Sequence, residues 1–468
     1  MEFSGSNYFR FRLALSLISG KSITIKNIRK NKNGIKNNKE LDKISKEPEI
    51  EGLHEYEAKI LKLIDKLCDN TIIKINENGD ELYFKPGFLV GNVNDEVKIN
   101  DLNIIFHCGK ERSITYFLEF LLMIIPFFKN PVKLLLKGIT DDSIDSTVYT
   151  LKIVSEHFFK TFLKVDENFL NITILKRGIK SDCSGEVLFF MNNFKSIDSF
   201  DINDPGLVKK ISGSIFCNNV SLIFRNKFMN CAKKNLCKFT PYVSIEAENA
   251  KLKKNNEENH FISLSLFAHT QNKCIYATDL CIDEFLLKHV KDSLNINNKN
   301  NETDSTSQGT SNGNNIQNVE NKLEKSKKNE ENFLINNSSN SFSKEEKNCI
   351  DYNSFLNNMS SNLHQVDIYE RLGFFVSLKI ANEIKGLSSV DTNYQWLPLL
   401  YMALANDTSV SKITLNILKP YSIALIRLLN DFFSVVFDIK KVEKSQIDYS
   451  YIIKCVGVGY RNFSKKTF

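Results

Sequence analysis

What this sequence lacks narrows it first. Its ten cysteines are scattered over 468 residues with no Cys-x-x-Cys pair. The closest two, Cys231 and Cys237 in "CAKKNLC", have five residues between them and no matched histidine pair. That spacing argues against a zinc site and for reduced thiols in a reducing compartment, so no metal is expected. The first 20 residues break their apolar pattern with Arg10 and Arg12 and show no cleavage-type signal. The most apolar run, "FLEFLLMIIPFF" at 117–128, is too short to cross a bilayer, carries Glu119 and is stopped by Pro126. A soluble, intracellular chain with no membrane partner is the expectation.

What is present is enough for a large core: 42% of residues are hydrophobic and 11% aromatic. At roughly 100–200 residues per domain, the length suggests two or three domains. Lys and Arg number 62 against 55 Asp and Glu, a formal charge of +7. This mild excess permits a nucleic-acid or acidic partner, and on its own selects neither.

Two segments stand apart in composition. Residues 291–364, opening "KDSLNINNKNNETDSTSQGTSNGNN", are rich in Asn, Ser, Lys and Glu, and 30–50 carries a smaller insertion, "KNKNGIKNNKELDKISKEPE". Neither can bury enough apolar surface to offset its chain entropy, so both read as disordered. A codon bias toward Asn and Lys accounts for them more simply than a function does.

Elsewhere an order of elements recurs. A helix near 8–19, a β-rich run at 22–28, an amphipathic helix at 54–68 and a hairpin turning at Asn78-Gly79 form a first unit. A second has a helix at 112–128, a strand at 132–138, a helix at 144–162 and strands at 171–178 and 185–191. A third has helices near 367–385 and 392–405, a strand at 412–418, a helix at 420–434 and strands near 435–441 and 450–458. The fold class expected is α/β (α+β): three helix-strand-helix-hairpin units in one large pseudo-threefold domain, 1–195 and 365–468, with a smaller α/β domain inserted at 196–290.

The motifs "GSNYFRFRLALSLISGKSITIKNIR", "LYFKPGFLVGN", "LLLKGITDDSID", "ILKRG" and "KCVGVGYRNFSKK", with "GLSSVDTNYQWLPLLYMALAND" at 386–407 and "LKPYSIALIRLLNDFF" at 418–433, occur in series. This series resembles the RNA 3'-terminal phosphate cyclase superfamily, and more closely its cyclase-like, ribosome-biogenesis branch. The resemblance covers nearly all of 4–290 and 366–466. Cyclases pass AMP from ATP through a histidine to an RNA 3'-phosphate. The equivalent place here holds Tyr421, a phenol with a pKa of about 10 that stays protonated, and so a poor nucleophile, at neutral pH. The resemblance also implies an acid followed by three glycines near the start. Here the run is Phe3-Ser4-Gly5-Ser6-Asn7, with Glu2 one residue away, and the glycine cluster near 181–185 has thinned to "SDCSGE".

The resemblance therefore implies a non-catalytic factor without cofactor: a nucleolar scaffold in pre-rRNA processing, 18S rRNA maturation and small (40S) subunit biogenesis. Its implied partners are a nucleolar GTPase and the small-subunit processome, with pre-rRNA and a small nucleolar RNP. An active ATP-dependent cyclase with a displaced nucleophile, a pre-rRNA endonuclease and a general RNA-binding protein are the alternatives.

Among single residues, the basic ones are the candidates for anion, RNA or partner binding. Arg10 and Arg12 follow a turn at a helix start, where free amides favour phosphate. Lys85 precedes Pro86-Gly87, Lys110 and Arg112 flank another helix start, and Lys176 with Arg177 ends a strand before Gly178. A solvated surface charge explains any one of them equally well. Asp141, Asp142 and Asp145 read as caps of the following helix rather than as metal ligands. The histidines show no obvious site, and Trp396, in register with Leu400 and Ala403, reads as core rather than as a base-stacking platform.

Overall fold

The computed structural model describes residues 1–30, 51–91, 104–248, 260–283, 368–443 and 449–462. The low-complexity segments expected at 30–50 and 291–364 lie outside these residues, apart from Lys30.

Along the chain come β1 (Glu2–Ser4), α1 (Phe9–Ser19), β2 (Ile23–Lys26), α2 (Glu55–Leu67), β3 (Ile72–Ile75) and β4 (Leu82–Lys85). Then follow β5 (Ile104–His107), α3 (Ile114–Ile124), a 3-10 turn at Ile125–Phe127, β6 (Val132–Gly138), α4 (Val148–Thr161), β7 (Leu170–Lys176) and β8 (Gly185–Met191). Next are β9 (Asp201–Ile202), β10 (Val208–Asn218), α5 (Leu222–Leu236), β11 (Val243–Ala247), β12 (Phe261–Thr270) and β13 (Ile275–Ile282). The last described stretch holds α6 (Ile368–Gly386), α7 (Trp396–Leu404), β14 (Val410–Leu415), α8 (Pro420–Phe433), β15 (Phe437–Glu443) and β16 (Tyr449–Val456).

These strands make four mixed sheets, ordered β1-β2-β4-β3, β5-β6-β8-β7, β9-β14-β16-β15 and β11-β10-β12-β13. In all four, one edge strand runs parallel to its neighbour and the two further pairs are antiparallel; in the first three that edge strand comes first in the chain and the order is first-second-fourth-third, whereas in the fourth it follows its neighbour. Period-two burial marks one buried face in β8 of the second sheet, whereas β12 of the fourth sheet is buried on both faces. In β8, Val187, Phe189 and Met191 are buried while Glu186, Leu188 and Phe190 are half-exposed.

The helices cover those buried faces. The α3 helix is apolar all round, and every residue but Glu119 is buried. Tyr401 of α7 donates its hydroxyl proton to Leu122 O of α3 at 2.8 Å, inside a ring cluster with Phe127, Phe158, Phe159 and Phe194. A phenylalanine at such a site contributes about 3–5 kcal/mol relative to alanine. Trp396, Leu400 and Ala403 are all buried, so the stripe expected as core is core.

The α6 helix packs on the fourth sheet and on α5, where Tyr369, Leu372, Val376 and Ile380 share a cluster with Phe228, Leu264 and Leu266. At the crossing, a Cβ on Gly373 would stand 2.4 Å from Phe228 O, so only glycine lets the helices approach this closely.

Element boundaries differ from expectation where side chains intervene. The helix expected over 112–128 ends at Ile124, because Pro126 lacks an N–H and the chain tightens to a 3-10 turn. The helix expected from 144 begins at Val148, capped by Thr147, whose Oγ1 accepts from Thr150 N at 3.0 Å. The three aspartates expected to cap it are used elsewhere, as described below. Strands β1, β5 and β9, of two to four residues, and helix α5 had no counterpart in the sequence expectation.

Candidate anion and nucleic-acid site

The turn before α1 carries Gly5 at φ 75° and Tyr8 in the left-handed region at φ 58°, and Tyr8 makes no side-chain cap bond. Beneath it lies Arg12, 8% exposed, donating to Gly5 O at 2.6 Å and Ser4 O at 3.5 Å. Its guanidinium stands 4.9 Å from the Phe3 ring centroid and forms no ion pair with a described residue, and its buried Nε has no partner. Burial pulls its pKa down to about 10. It therefore stays charged at neutral pH, as a buried cation with no counter-charge among the described residues. Phe3 faces inward against Phe432, while Glu2 faces out and pairs with Lys26 at 3.1 Å, so the sheet register puts the ring, not the carboxylate, beside Arg12.

Tyr421 sits in the first turn of α8, behind Pro420. Its hydroxyl donates to Thr392 O at 2.8 Å and accepts from Gln395 N at 3.1 Å. Burial pushes the phenol well above its ordinary pKa. A phenol so held is a strut between α7 and α8, and a poor nucleophile. Gln395 Oε1 completes the joint by accepting from Ser422 Oγ at 2.6 Å and Lys419 N at 3.3 Å.

Helix starts and loop amides that would suit phosphates hold the chain's own carboxylates instead. Asp145 accepts from Ser113 N, the N-cap of α3, at 3.2 Å. Asp279 of β13 accepts from Thr147 N at the start of α4 at 2.7 Å. Asp391 accepts from Asn393 N and Tyr394 N before α7, both at 3.0 Å, and from Ala277 N at 3.1 Å. Glu57 accepts from His54 N at 3.0 Å in a capping box on α2. Burial raises the pKa of both Asp279 and Asp391.

The basic candidates do not converge on one surface. Arg10 and Arg112 do meet, with guanidinium carbons 4.1 and 4.4 Å from the Tyr116 ring centroid. Each is neutralised there: Arg10 pairs with Glu119 at 2.7 Å, and Arg112 makes a two-pronged pair with Asp145. Burial opposes the charge of Arg112, but the bond and field of Asp145 outweigh it and raise its pKa. Arg177 is 4% exposed, held between Asp141 at 3.0 Å and Glu248. Lys85 and Lys110 are exposed, and Lys176 is half-buried opposite Glu186.

His54 is the N-cap of α2, His107 ends β5, and His157 and His269 make single hydrogen bonds to Lys273 O and Ser212 Oγ. Gly178 and Gly185 let β6, β7 and β8 close up: a Cβ on Gly178 would be 2.1 Å from Gly185 N. Gly185, the one glycine in the thinned 181–185 region, thus serves strand packing.

Sequence reasoning missed a cavity of ≈ 280 Å³ between the second and fourth sheets, lined by Asp142, Ile179, Lys180, His260, Phe261 and Asp283 among others. Asp142 Oδ1 accepts from Ile144 N and Asp145 N, and burial with the nearby Asp145 charge pushes its pKa up to about 7. No sequence signal marks it, because its environment is assembled from segments more than a hundred residues apart.

Fold and site together define an α/β protein of four mixed sheets in which Tyr421 is a buried, doubly hydrogen-bonded phenol and several helix starts are held by the chain's own carboxyl groups. The model of the RNA 3'-terminal phosphate cyclase family matches residues 1–439, and the chain belongs to that family. It is 27% identical over 468 residues, the whole of both chains, to the Dictyostelium discoideum protein named probable RNA 3'-terminal phosphate cyclase-like protein. It is 26% identical over 468 residues to the Homo sapiens RNA 3'-terminal phosphate cyclase-like protein, covering 99% of this chain and 97% of that one. It is also 28% identical over 284 residues to the Schizosaccharomyces pombe rRNA processing protein rcl1, covering 60% of this chain and 70% of that one.

Proposed function

We propose that this chain is a non-catalytic factor in rRNA processing, acting in the nucleolus on pre-rRNA during 18S rRNA maturation and small (40S) subunit biogenesis. In this reading it is a scaffold for a nucleolar GTPase within the pre-ribosomal particle that carries the small nucleolar RNP. Relatives of full length are named cyclase-like, and one relative is named an rRNA processing protein, which supports the reading. The observation that carries it is Tyr421, buried with its hydroxyl both donating and accepting at the joint of α7 and α8. The strand order shared by the first three sheets, which the fourth lacks, supports three copies of one unit within 1–195 and 365–468. The fourth sheet is then the inserted module of 196–290, beginning after β9. Arg12, under the uncapped start of α1, is the residue proposed to meet an RNA phosphate.

The test is incubation of the purified full chain with ATP labelled on its α-phosphate and magnesium. No covalent adenylate is expected after denaturing electrophoresis. A labelled band that disappears in Tyr421→Phe would establish an active cyclase and end the scaffold reading.

A further inference from the structure

Between Pro205 and Ile245 the sequence has seven Lys and Arg and no Asp or Glu, so this one stretch carries a charge equal to the formal +7 of the whole chain. The structure folds it into β10, α5 and the loop leading to β11. The α5 helix buries only Phe228, Ala232 and Leu236, which face α6. Lys233 and Lys234, in its last turns, are exposed. The loop after it returns to the beginning of β10, where Thr240 Oγ1 donates to Lys209 O at 3.2 Å and Ile211 N donates to Tyr242 O at 2.9 Å. That return sets Lys209, Lys210 and Lys238, all exposed, beside the end of the helix. None of these five lysines forms an ion pair with a described residue. Two rings stand among them, Tyr242 at 71% exposure and Phe239 at 40%, with Leu207 at 70%.

We propose that this surface, the end of α5 with the 237–242 loop and the start of β10, binds single-stranded RNA, lysines meeting phosphates and Tyr242 stacking on a base. Uncompensated lysines supply the sequence-independent affinity of a polyanion site, and exposed rings supply a face for unpaired bases. An acidic peptide would satisfy the lysines but would leave Tyr242 and Phe239 without a use. This site is distinct from Arg12 and does not depend on the reading of Tyr421, because it involves neither α1 nor α8.

The experiment measures binding of a fluorescein-labelled 20-nucleotide oligouridine to the full chain by anisotropy over a salt series. Five lysines on a single strand give a slope of log K against log salt of about −3.5. Lys209, Lys210, Lys233, Lys234 and Lys238 all changed to Gln should flatten that slope and weaken binding by more than a hundredfold at low salt. Tyr242→Ala should weaken it about tenfold with the slope unchanged. Should the fivefold variant fail to fold, the pairs Lys209→Gln/Lys210→Gln and Lys233→Gln/Lys234→Gln each lower the slope by about 1.4. Arg12→Gln is a separate arm: loss of oligouridine there, with none in the lysine variants, overturns this surface and leaves the α1 site standing. Wild-type protein that does not bind, lysine variants that bind like wild type, or displacement of RNA by polyglutamate with Tyr242→Ala unchanged would each overturn it too.

Discussion

Replacing Arg177 with Met separates a structural cation from an RNA contact. The Asp141 carboxylate is fully buried and takes four hydrogen bonds: two from Arg177 Nη1 at 3.1 and 3.0 Å, one from Thr140 Oγ1 at 2.6 Å and one from Ser263 Oγ at 2.9 Å. Removing one partner of a buried pair costs about 3–5 kcal/mol, because the remaining charge has lost its compensation. Two hydroxyl donors stay on Asp141, and Glu248, 32% exposed, turns back to water. The low end of that range, about 3 kcal/mol, is therefore expected, more than a hundredfold in the unfolding equilibrium. The assay is urea unfolding followed by the fluorescence of Trp396, the single tryptophan, which is 3% exposed in the core. Adding Asp141→Asn should return part of the loss, since it removes the orphaned charge. An unchanged midpoint together with weakened RNA binding would refute this account and restore Arg177 as a contact residue.

Two further outcomes follow from the packing and the carboxylates. Asp142 has a folded pKa raised to about 7, so the folded state holds a proton that the unfolded state has released, and stability falls as pH rises from near 4 to 7. Asp142→Asn keeps the acceptor for Ile144 N and Asp145 N and should lose that decline, so the two proteins diverge in urea midpoint between pH 5 and pH 8 in favour of the variant. Gly373→Ala places a Cβ 2.4 Å from Phe228 O and should cost about 1–3 kcal/mol, with faster amide hydrogen exchange in α5 and α6 and little change in α3 or α7.

Sequence periodicity located the elements with a strong one-sided pattern. Strands β6 and β8 fall on the predicted ranges 132–138 and 185–191, because alternating buried residues leave one register. The short edge strands β1, β5 and β9 have too few residues to show a period, and their place is set by a parallel neighbour far along the chain. Helix α5 was not placed within the expected α/β module for another reason: only three of its residues are buried, which leaves little apolar periodicity to read. At the site, residue type was legible and partnership was not. Arg112 finds Asp145 33 positions away, and Arg177 finds Asp141 and Glu248 36 and 71 positions away. A basic residue beside a helix start looks like an anion site until a distant acid is found on it. The acid-free run of 205–245 was visible in local charge, which the whole-chain balance of +7 conceals.

The amides at a helix start attract one anion at a time, and what separates an enzyme that cradles phosphates from a scaffold is who supplies it. In this chain Asp145, Asp279 and Asp391 occupy the amides before α3, α4 and α7, and a phosphate arriving there would have to displace a bonded carboxyl group. The hydrogen bonds lost in doing so set these positions against a phosphate, by the same groups that stabilise the helices. The beginning of α1 is built the other way: no side chain of Tyr8 caps it, the Phe3 ring rather than a carboxylate stands beside Arg12, and Arg12 is left with a charge that burial penalises. A bound phosphate there would offset that penalty, and no acid among the described residues pairs with Arg12. The start of α8 likewise has no side-chain cap, but Pro420 offers no N–H and Gln395 Oε1 accepts from Lys419 N at 3.3 Å, so it presents fewer free amides than α1.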